Sequence, residues 1–246
     1  MHNIKACAAK SDKGPYLNVN EDLYDLDFEL EYFALYDGFG GSGIGDTATK
    51  EFALTVKNNL KEIYKDKNAT MPFFYSPRFL LEGNALINAI NFASVKLWEE
   101  NLKRDINKRA GLSGAFIIRS QSILNIINCG NCRCYLLRNG QITQVYIEDS
   151  FRLMTQDQYQ NYLKSIPLNA LGLYPEILLH PTELRIFPRD IIILCTDGVY
   201  SNLNDNEFYQ IAGNNYFTPK EKIDEFFRVS NEKGNQDNQS LIYLEF

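Results

Sequence analysis

Histidine is nearly absent from this chain: there are two in 246 residues, and one of them, His2, stands at the terminus. Any mechanism that needs an imidazole must therefore use His180. Ser-His-Asp and Cys-His nucleophilic catalysis and multi-histidine zinc sites fit that supply poorly. Basic residues are also the minority, 25 Lys plus Arg against 31 Asp plus Glu, for a formal charge of −6. That balance argues against nucleic-acid and membrane-surface binding, which both need a basic patch. Long apolar runs are missing too. No stretch approaches the roughly 18 residues of a membrane-spanning helix, and Met1–Lys10 lacks the apolar core of a signal peptide. A cytoplasmic protein in a reducing compartment is expected. Cysteine is scarce and odd in number, five in all. Cys129, Cys132 and Cys134 fall close together, but no fourth ligand stands at zinc-type spacing, so they read as buried small hydrophobes on strands, with Cys132 and Cys134 on one face.

What is present is an ordinary globular composition, 45% hydrophobic, in a chain long enough to bury a core without staples. The length allows one large domain or two small ones, and no repeat or low-complexity linker divides it. Residues 3–9 and 32–36 read as strands. A glycine-rich turn follows, and then Ala48, Phe52, Val56, Leu60 and Ile63 recur at helical spacing, with Asp46 or Thr47 to cap the start. Residues 65–77 read as a loop. Leu86, Ile90, Ala93 and Leu97 mark a second helix, which dissolves into the polar run 99–109. From Gly111 the pattern turns to strands at 115–118, 123–128, 132–137 and 142–147. Gly130-Asn131 and Asn139-Gly140 act as hairpin signals between them, which predicts an antiparallel meander. A short helix over 155–164, strands at 177–187 and 191–195, helices at 204–213 and 219–229, and a last strand at 240–246 complete the pattern. Plentiful antiparallel hairpins exclude a doubly wound parallel sheet. The order fits an α+β sandwich of two packed sheets with helices outside.

Four acidic sites share one placement. Asn20-Glu21-Asp22 precedes a strand, Asp37-Gly38 follows the apolar strand 32–36, Asp197-Gly198 follows the apolar strand 191–195, and Asp237-Asn238 precedes the last strand. Each sets a short carboxylate where a buried strand meets a loop. Any single one is an ordinary turn former. Four together, in a chain poor in other catalytic groups, point to oxygen-ligand cations, because hard divalent ions prefer carboxylates, carbonyls and water.

In family order, the chain carries Asn20-Glu21-Asp22, the run from Phe33 to Gly41 around Asp37-Gly38, Gly45-Asp46-Thr47-Ala48, and Gly130-Asn131-Cys132-Arg133-Cys134-Tyr135-Leu136. Asn169-Ala170-Leu171-Gly172, Leu194 to Val199 around Asp197-Gly198, and Asp237-Asn238 follow. The ordered set resembles the metal-dependent protein phosphatases of the type 2C (PPM) family, especially compact bacterial members, and spans nearly the whole chain. The resemblance implies a single domain over 1–246, a four-layer α-β-β-α sandwich, and hydrolysis of phosphoserine or phosphothreonine by water activated at two Mn²⁺ or Mg²⁺ ions. By position, Asp37 bridges the two metals, the Gly38 carbonyl binds one, and Asp197 and Asp237 bind the other. Glu21 and Asp22 act mainly through water at the metals. Two metals about 3.5–4 Å apart lower the pKa of a shared water and clamp phosphoryl oxygens, so no histidine is required. The implied partners are a phosphorylated protein and a Ser/Thr kinase, with no nucleic acid and no membrane.

The chain departs from the pattern at several positions. Phe39 stands where many relatives have a His that protonates the leaving oxygen. Leu17 stands where an Arg grips phosphate, a loss of bidentate binding, with Lys13 nearby. Asn131 replaces an Asp that helps hold a third metal in bacterial relatives, and a neutral amide argues against a third ion here. The flap segment, residues 149–166, lacks its usual Asp-His-Ser. His180 matches no family site and reads as structural. Two readings follow: an active phosphatase, with all direct metal positions intact, or a pseudophosphatase acting as a regulatory or binding module, for which Leu17, Phe39 and Asn131 are the evidence. A metal-dependent nuclease could use such carboxylates, but the net charge offers no surface to track a phosphate backbone.

Overall fold

The computed structural model describes residues 4–40, 43–66, 70–150 and 166–246. Ten strands form two five-stranded antiparallel sheets. The strands are β1 (Ala6–Asp12), β2 (Asp22–Asp27), β3 (Tyr32–Gly40), β4 (Ala110–Ser120), β5 (Ile123–Cys129), β6 (Arg133–Arg138), β7 (Gln141–Gln144), β8 (His180–Arg185), β9 (Ile191–Cys195) and β10 (Gln239–Glu245). One sheet runs β1-β10-β9-β6-β7 and the other β2-β3-β4-β5-β8. Helices α1 (Gly45–Lys65) and α2 (Leu81–Leu102) follow β3. Helices α3 (Asp197–Tyr200), α4 (Asp205–Ala212) and α5 (Pro219–Glu232) lie between β9 and β10.

Strand alternation builds the layers. In β3, Phe33 and Leu35 point into the space between the sheets, while Tyr32, Ala34 and Tyr36 point to the opposite face. In β9, Ile192 and Leu194 face the other sheet, and Ile193 and Cys195 face outward. Three apolar layers result. The middle one joins the sheets, one outer layer packs α1 and α2 on the β3 sheet, and the other packs α4 and α5 on the β10 sheet. The architecture is the expected four-layer α-β-β-α sandwich. Both α4 and α5 open with a capping box, Asn204 with Glu207 and Thr218 with Glu221, each satisfying two orphan backbone donors. In α1 the stripe Ala48, Phe52, Val56 and Leu60 is buried, with Asp46 in the first turn and Lys65 in the last, matching the helix dipole. Among the described residues no helix is long and apolar enough to cross a membrane.

The meander expectation needs correction. β4 pairs with β5, and β6 with β7, but β5 and β6 lie in different sheets. Gly130-Asn131 is therefore a corner that carries the chain from one sheet to the other and closes no hairpin. The physical reason is burial: β5 and β6 are each covered on both faces and find their other neighbours in β8 and β9. Asn139-Gly140 does close a hairpin, with both residues at positive φ, as a type I′ turn demands. The β4–β5 hairpin turns on Gln121-Ser122, with Gln121 at φ 56°, and carries no Asn-Gly signal. The first strand begins at Ala6 rather than residue 3, and α2 runs on to Leu102. The helix expected at 155–164 lies outside the described residues. All five cysteines are free. Cys132 and Cys134 share the inter-sheet face, as expected, where burial pushes both thiols up.

Phe116 anchors the layer under α1 and α2: it is fully buried and meets Tyr36 edge-on at 5.5 Å. Phe116→Ala is expected to cost about 3–5 kcal/mol, read as a lower urea midpoint in equilibrium unfolding.

Candidate metal centre

The apolar filling between the sheets gives way to carboxylates at one end of the sandwich. The alternation of β3 puts Asp37 on the inter-sheet side, after Phe33 and Leu35. Asp22 lies directly opposite it in the β2–β3 ladder, a position where Cβ atoms stand about 4.5–5.5 Å apart. From the other sheet, Thr196 continues the inward set Ile192 and Leu194, and its hydroxyl donates to Asp22 Oδ2 at 2.9 Å. Asp197 opens α3 immediately after, and its Oδ2 accepts from Asn131 Nδ2 at 3.2 Å. The sheet-crossing corner thus ends at the site. It is held from behind by Tyr200, whose hydroxyl donates to the Asn131 carbonyl at 2.7 Å. Arg133 stacks on the Tyr200 ring at 3.7 Å and pairs with buried Glu148.

Asp237 enters from the loop before β10, and its neighbour Asn238 fastens that loop to the first one. Asn238 Oδ1 accepts from the Glu21 backbone N–H at 2.8 Å, and its Nδ2 donates to the carbonyls of Lys13 at 2.9 Å and Val19 at 3.1 Å. Two glycines permit this crowding. A Cβ on Gly198 would fall 1.9 Å from the Asn238 carbonyl oxygen, and one on Gly38 would fall 2.1 Å from Thr49 Oγ1 and 2.7 Å from the Glu21 carbonyl oxygen. Glu21 turns its carboxylate to the start of α1, where Oε1 accepts from Gly45 N–H at 3.0 Å, a favoured place for an anion.

Charge accumulates here. Asp22 and Asp197 are buried, at 7% and 8% exposure. Asp37 is half-buried and Asp237 exposed. Burial holds the Asp22 and Asp37 carboxyls well above the usual range, and neighbouring carboxylates, Asp197 and Asp237 for both and Asp22 for Asp37, push the same way. Hydrogen bonds offset part of this, from Ser240 and Thr196 on Asp22 and from Asn131 on Asp37. Burial raises Glu21 too, against the lowering effect of the Gly45 N–H.

The structure therefore brings Asp22, Asp37, Asp197 and Asp237 to one mouth, with the Gly38 backbone and Glu21 beside them. It does not draw them into a closed shell: among the described residues, no three His, Cys, Asp or Glu side chains stand at the spacing of a formed cation site. The donor set nonetheless suits hard divalent ions, being all oxygen and anionic. Thr196, Ser240 and Asn238 were given no role from sequence. The only signal for Thr196 is a polar residue on the inward parity at the end of an apolar strand. Of the divergent positions, Leu17 is exposed at 39%, and Lys13 enters the network through its carbonyl. His180 stays outside the carboxylate group. Its Nε2 lies 2.8 Å from Asp149 Oδ2, and Asp149 also accepts from Asn169, so the ring has a structural setting.

No protein-family model matches the chain. It is similar along its length to the serine/threonine phosphatase stp of Listeria monocytogenes, 25% identical over 247 residues that cover 96% of this chain and 94% of the relative. Among solved structures, serine/threonine phosphatase Stp1 from Staphylococcus aureus superposes with a TM-score of 0.80 at 20% identity, covering 100% of this chain and 96% of that one. The catalytic domain of the serine/threonine protein phosphatase PstP, solved with two manganese ions, gives 0.78 at 20% identity and covers 98% and 97%. The resemblance to type 2C phosphatases thus holds along the chain in sequence and in fold.

The crowding of like charges has a measurable cost. A carboxyl raised in the folded state is neutral in both states at low pH. As pH rises above the ordinary carboxylate range toward the raised value, the unfolded chain ionises first and stability falls. Asp37→Asn removes one such group from the cross-strand pair. In chelator at pH 7 it is expected to stabilise the protein by roughly 1 kcal/mol, about 2–4 °C in Tm. The gain should vanish by pH 3, as thermal melts across that range will show.

Proposed function

We propose that this chain is a metal-dependent serine/threonine phosphoprotein phosphatase, one domain over residues 1–246, acting in the cytoplasm on a protein phosphorylated by a Ser/Thr kinase. The observation that carries the reading is the meeting of Asp22, Asp37, Asp197 and Asp237 at one mouth of the sandwich. Its support from outside is that the relatives of similar length are named serine/threonine phosphatases.

Two divalent cations, Mn²⁺ or Mg²⁺, would supply an activated water and neutralise phosphoryl charge when held by these residues. The chain's residues then have distinct tasks. Asp37, acted on by all three other aspartates, would hold both ions. The Gly38 carbonyl would help hold one of them, and Asp197 and Asp237 the other. Asp22, held by Thr196, and Glu21, held by the start of α1, orient water. Asn131 donates to Asp197, and its neutral amide would be a poorer ligand for a third cation than a carboxylate. Phe39 has no proton to give, so the proton for the leaving serine or threonine oxygen would come from water at the site. The pseudophosphatase alternative rests on Leu17, Phe39 and Asn131, and the relatives, named as phosphatases, lend it no support.

Purified protein with added Mn²⁺ is expected to release phosphate from a phosphothreonine peptide, and EDTA to abolish the release. Asp37→Asn should lower kcat by at least about 10²-fold, the scale of losing one preorganised electrostatic group, with an unchanged circular-dichroism spectrum. Wild-type protein inactive on several phosphopeptides at saturating Mn²⁺ would sink the reading, and calorimetric binding of Mn²⁺ without turnover would then favour the pseudophosphatase.

A further inference from the structure

Beside the carboxylates lies a cleft of different character. It holds about 310 Å³ and is lined by Phe39, Pro167, Leu168, Ala170, Leu173 and Tyr174, with Asn169 as its main polar side chain. Leu168 and Tyr174 are exposed at 45% and 51%, so apolar surface is left open to water at the rim. The cleft is tied to the metal centre by the chain itself. Phe39 follows Asp37 by two residues on β3, which keeps it on the same inter-sheet face and about 6.6 Å farther along. Its partner across the ladder is Gly111, opposite Phe39 as Ser113 is opposite Asp37. A Cβ on Gly111 would fall 2.9 Å from the Phe39 ring and 2.8 Å from Leu173 Cγ, so Phe39 and Leu173 close over a bare backbone and form the floor. The bridge between Leu112 and Leu171 fixes the 170s segment against the same strand.

We propose that this cleft is a substrate subsite that takes an apolar side chain of the phosphoprotein, a few residues from the phosphorylated serine or threonine. The inference rests on the phosphatase reading. An extended peptide advances about 3.3 Å per residue, so a side chain within about three positions of the phosphorylated residue reaches from the carboxylates to the floor at Phe39. Among the described residues the lining offers no charge to an acidic or basic flank, and the nearby aspartates disfavour an acidic one. Burying a large apolar side chain against Phe39, Leu168 and Leu173 is the interaction that remains. Phe39 thus acquires a role of its own. Where a histidine would address the leaving oxygen, this chain places the wall of a pocket that reads the neighbouring sequence.

The test uses the full chain with Mn²⁺ and a set of phosphothreonine peptides that differ only by Leu or Ser at each position from three before to three after the phosphorylated residue. p-Nitrophenyl phosphate serves as the substrate without a flank. One position is expected to favour Leu by about tenfold or more in kcat/KM, the discrimination available to an apolar pocket. At that position the Leu-over-Ser ratio should shrink to within about twofold in Leu168→Ser, a change at an exposed site that leaves the core intact, and in Leu173→Ser. If peptides and p-nitrophenyl phosphate are hydrolysed but no position favours Leu, or the ratio survives both substitutions, the subsite is overturned while the phosphatase reading stands. If nothing is hydrolysed, the phosphatase reading falls and takes the subsite with it.

Discussion

Two aspartates face each other on neighbouring strands, and much of the structure around them serves to hold them there. Asp22 and Asp37 are register partners at the end of an apolar layer, with Asp197 and Asp237 bearing on both. Left alone, such a group would spread apart or take up protons, since like charges directly opposite on a sheet destabilise it. The fold counters with fixed dipoles. The Thr196 hydroxyl, the Asn131 amide and the start of α1 each direct a donor at one carboxylate. The arrangement is costly for the folded chain and useful to a cation, whose charge would convert the main repulsion into the main attraction.

The same logic explains why the surroundings are rigid. Asp197 is placed by a one-turn helix at the end of a strand buried on both sides, and Asn131 by a corner clamped between Tyr200 and the Arg133–Glu148 pair. Side chains so fixed lose little freedom on meeting a ligand, which is the condition for precise electrostatic work. The apolar cleft at Phe39 lies where this polar frame ends, two residues along β3 from Asp37.

Local signals made much of this readable from sequence. The run Ile191–Cys195 was bounded by polar turns and proved to be β9 to the residue. The stripe from Ala48 to Leu60 marked the buried face of α1. Asp37 and Asp197 stood out because each carboxylate ends an apolar strand. What stayed hidden was long-range. Gly130-Asn131 has the chemistry of a tight turn, and nothing nearby in sequence says whether the next strand joins the same sheet or the opposite one. Thr196 and Asn238 hold partners 174 and 217 residues away, a relation that no local spacing encodes. The divergent residues Leu17, Phe39 and Asn131 are visible as departures, but only the structure shows Asn131 donating to Asp197 and Phe39 packing with Leu173 over Gly111.

The pairing of β1 with β10 along its full length also bears on synthesis. During translation Asp22 and Asp37 leave the ribosome well before Asp237, Asn238 and β10, and they can pair as soon as β2 and β3 do. Asn238 is the residue that bolts the loop of Glu21 in place. A nascent chain that stops short of Asp237 and β10 therefore carries Asp22, Asp37 and Asp197 while one of its two sheets lacks the second strand from the edge. Any product cut short before residue 237 keeps the repulsion among Asp22, Asp37 and Asp197 and lacks both Asp237 and Asn238, so the centre is complete only once β10 has been made.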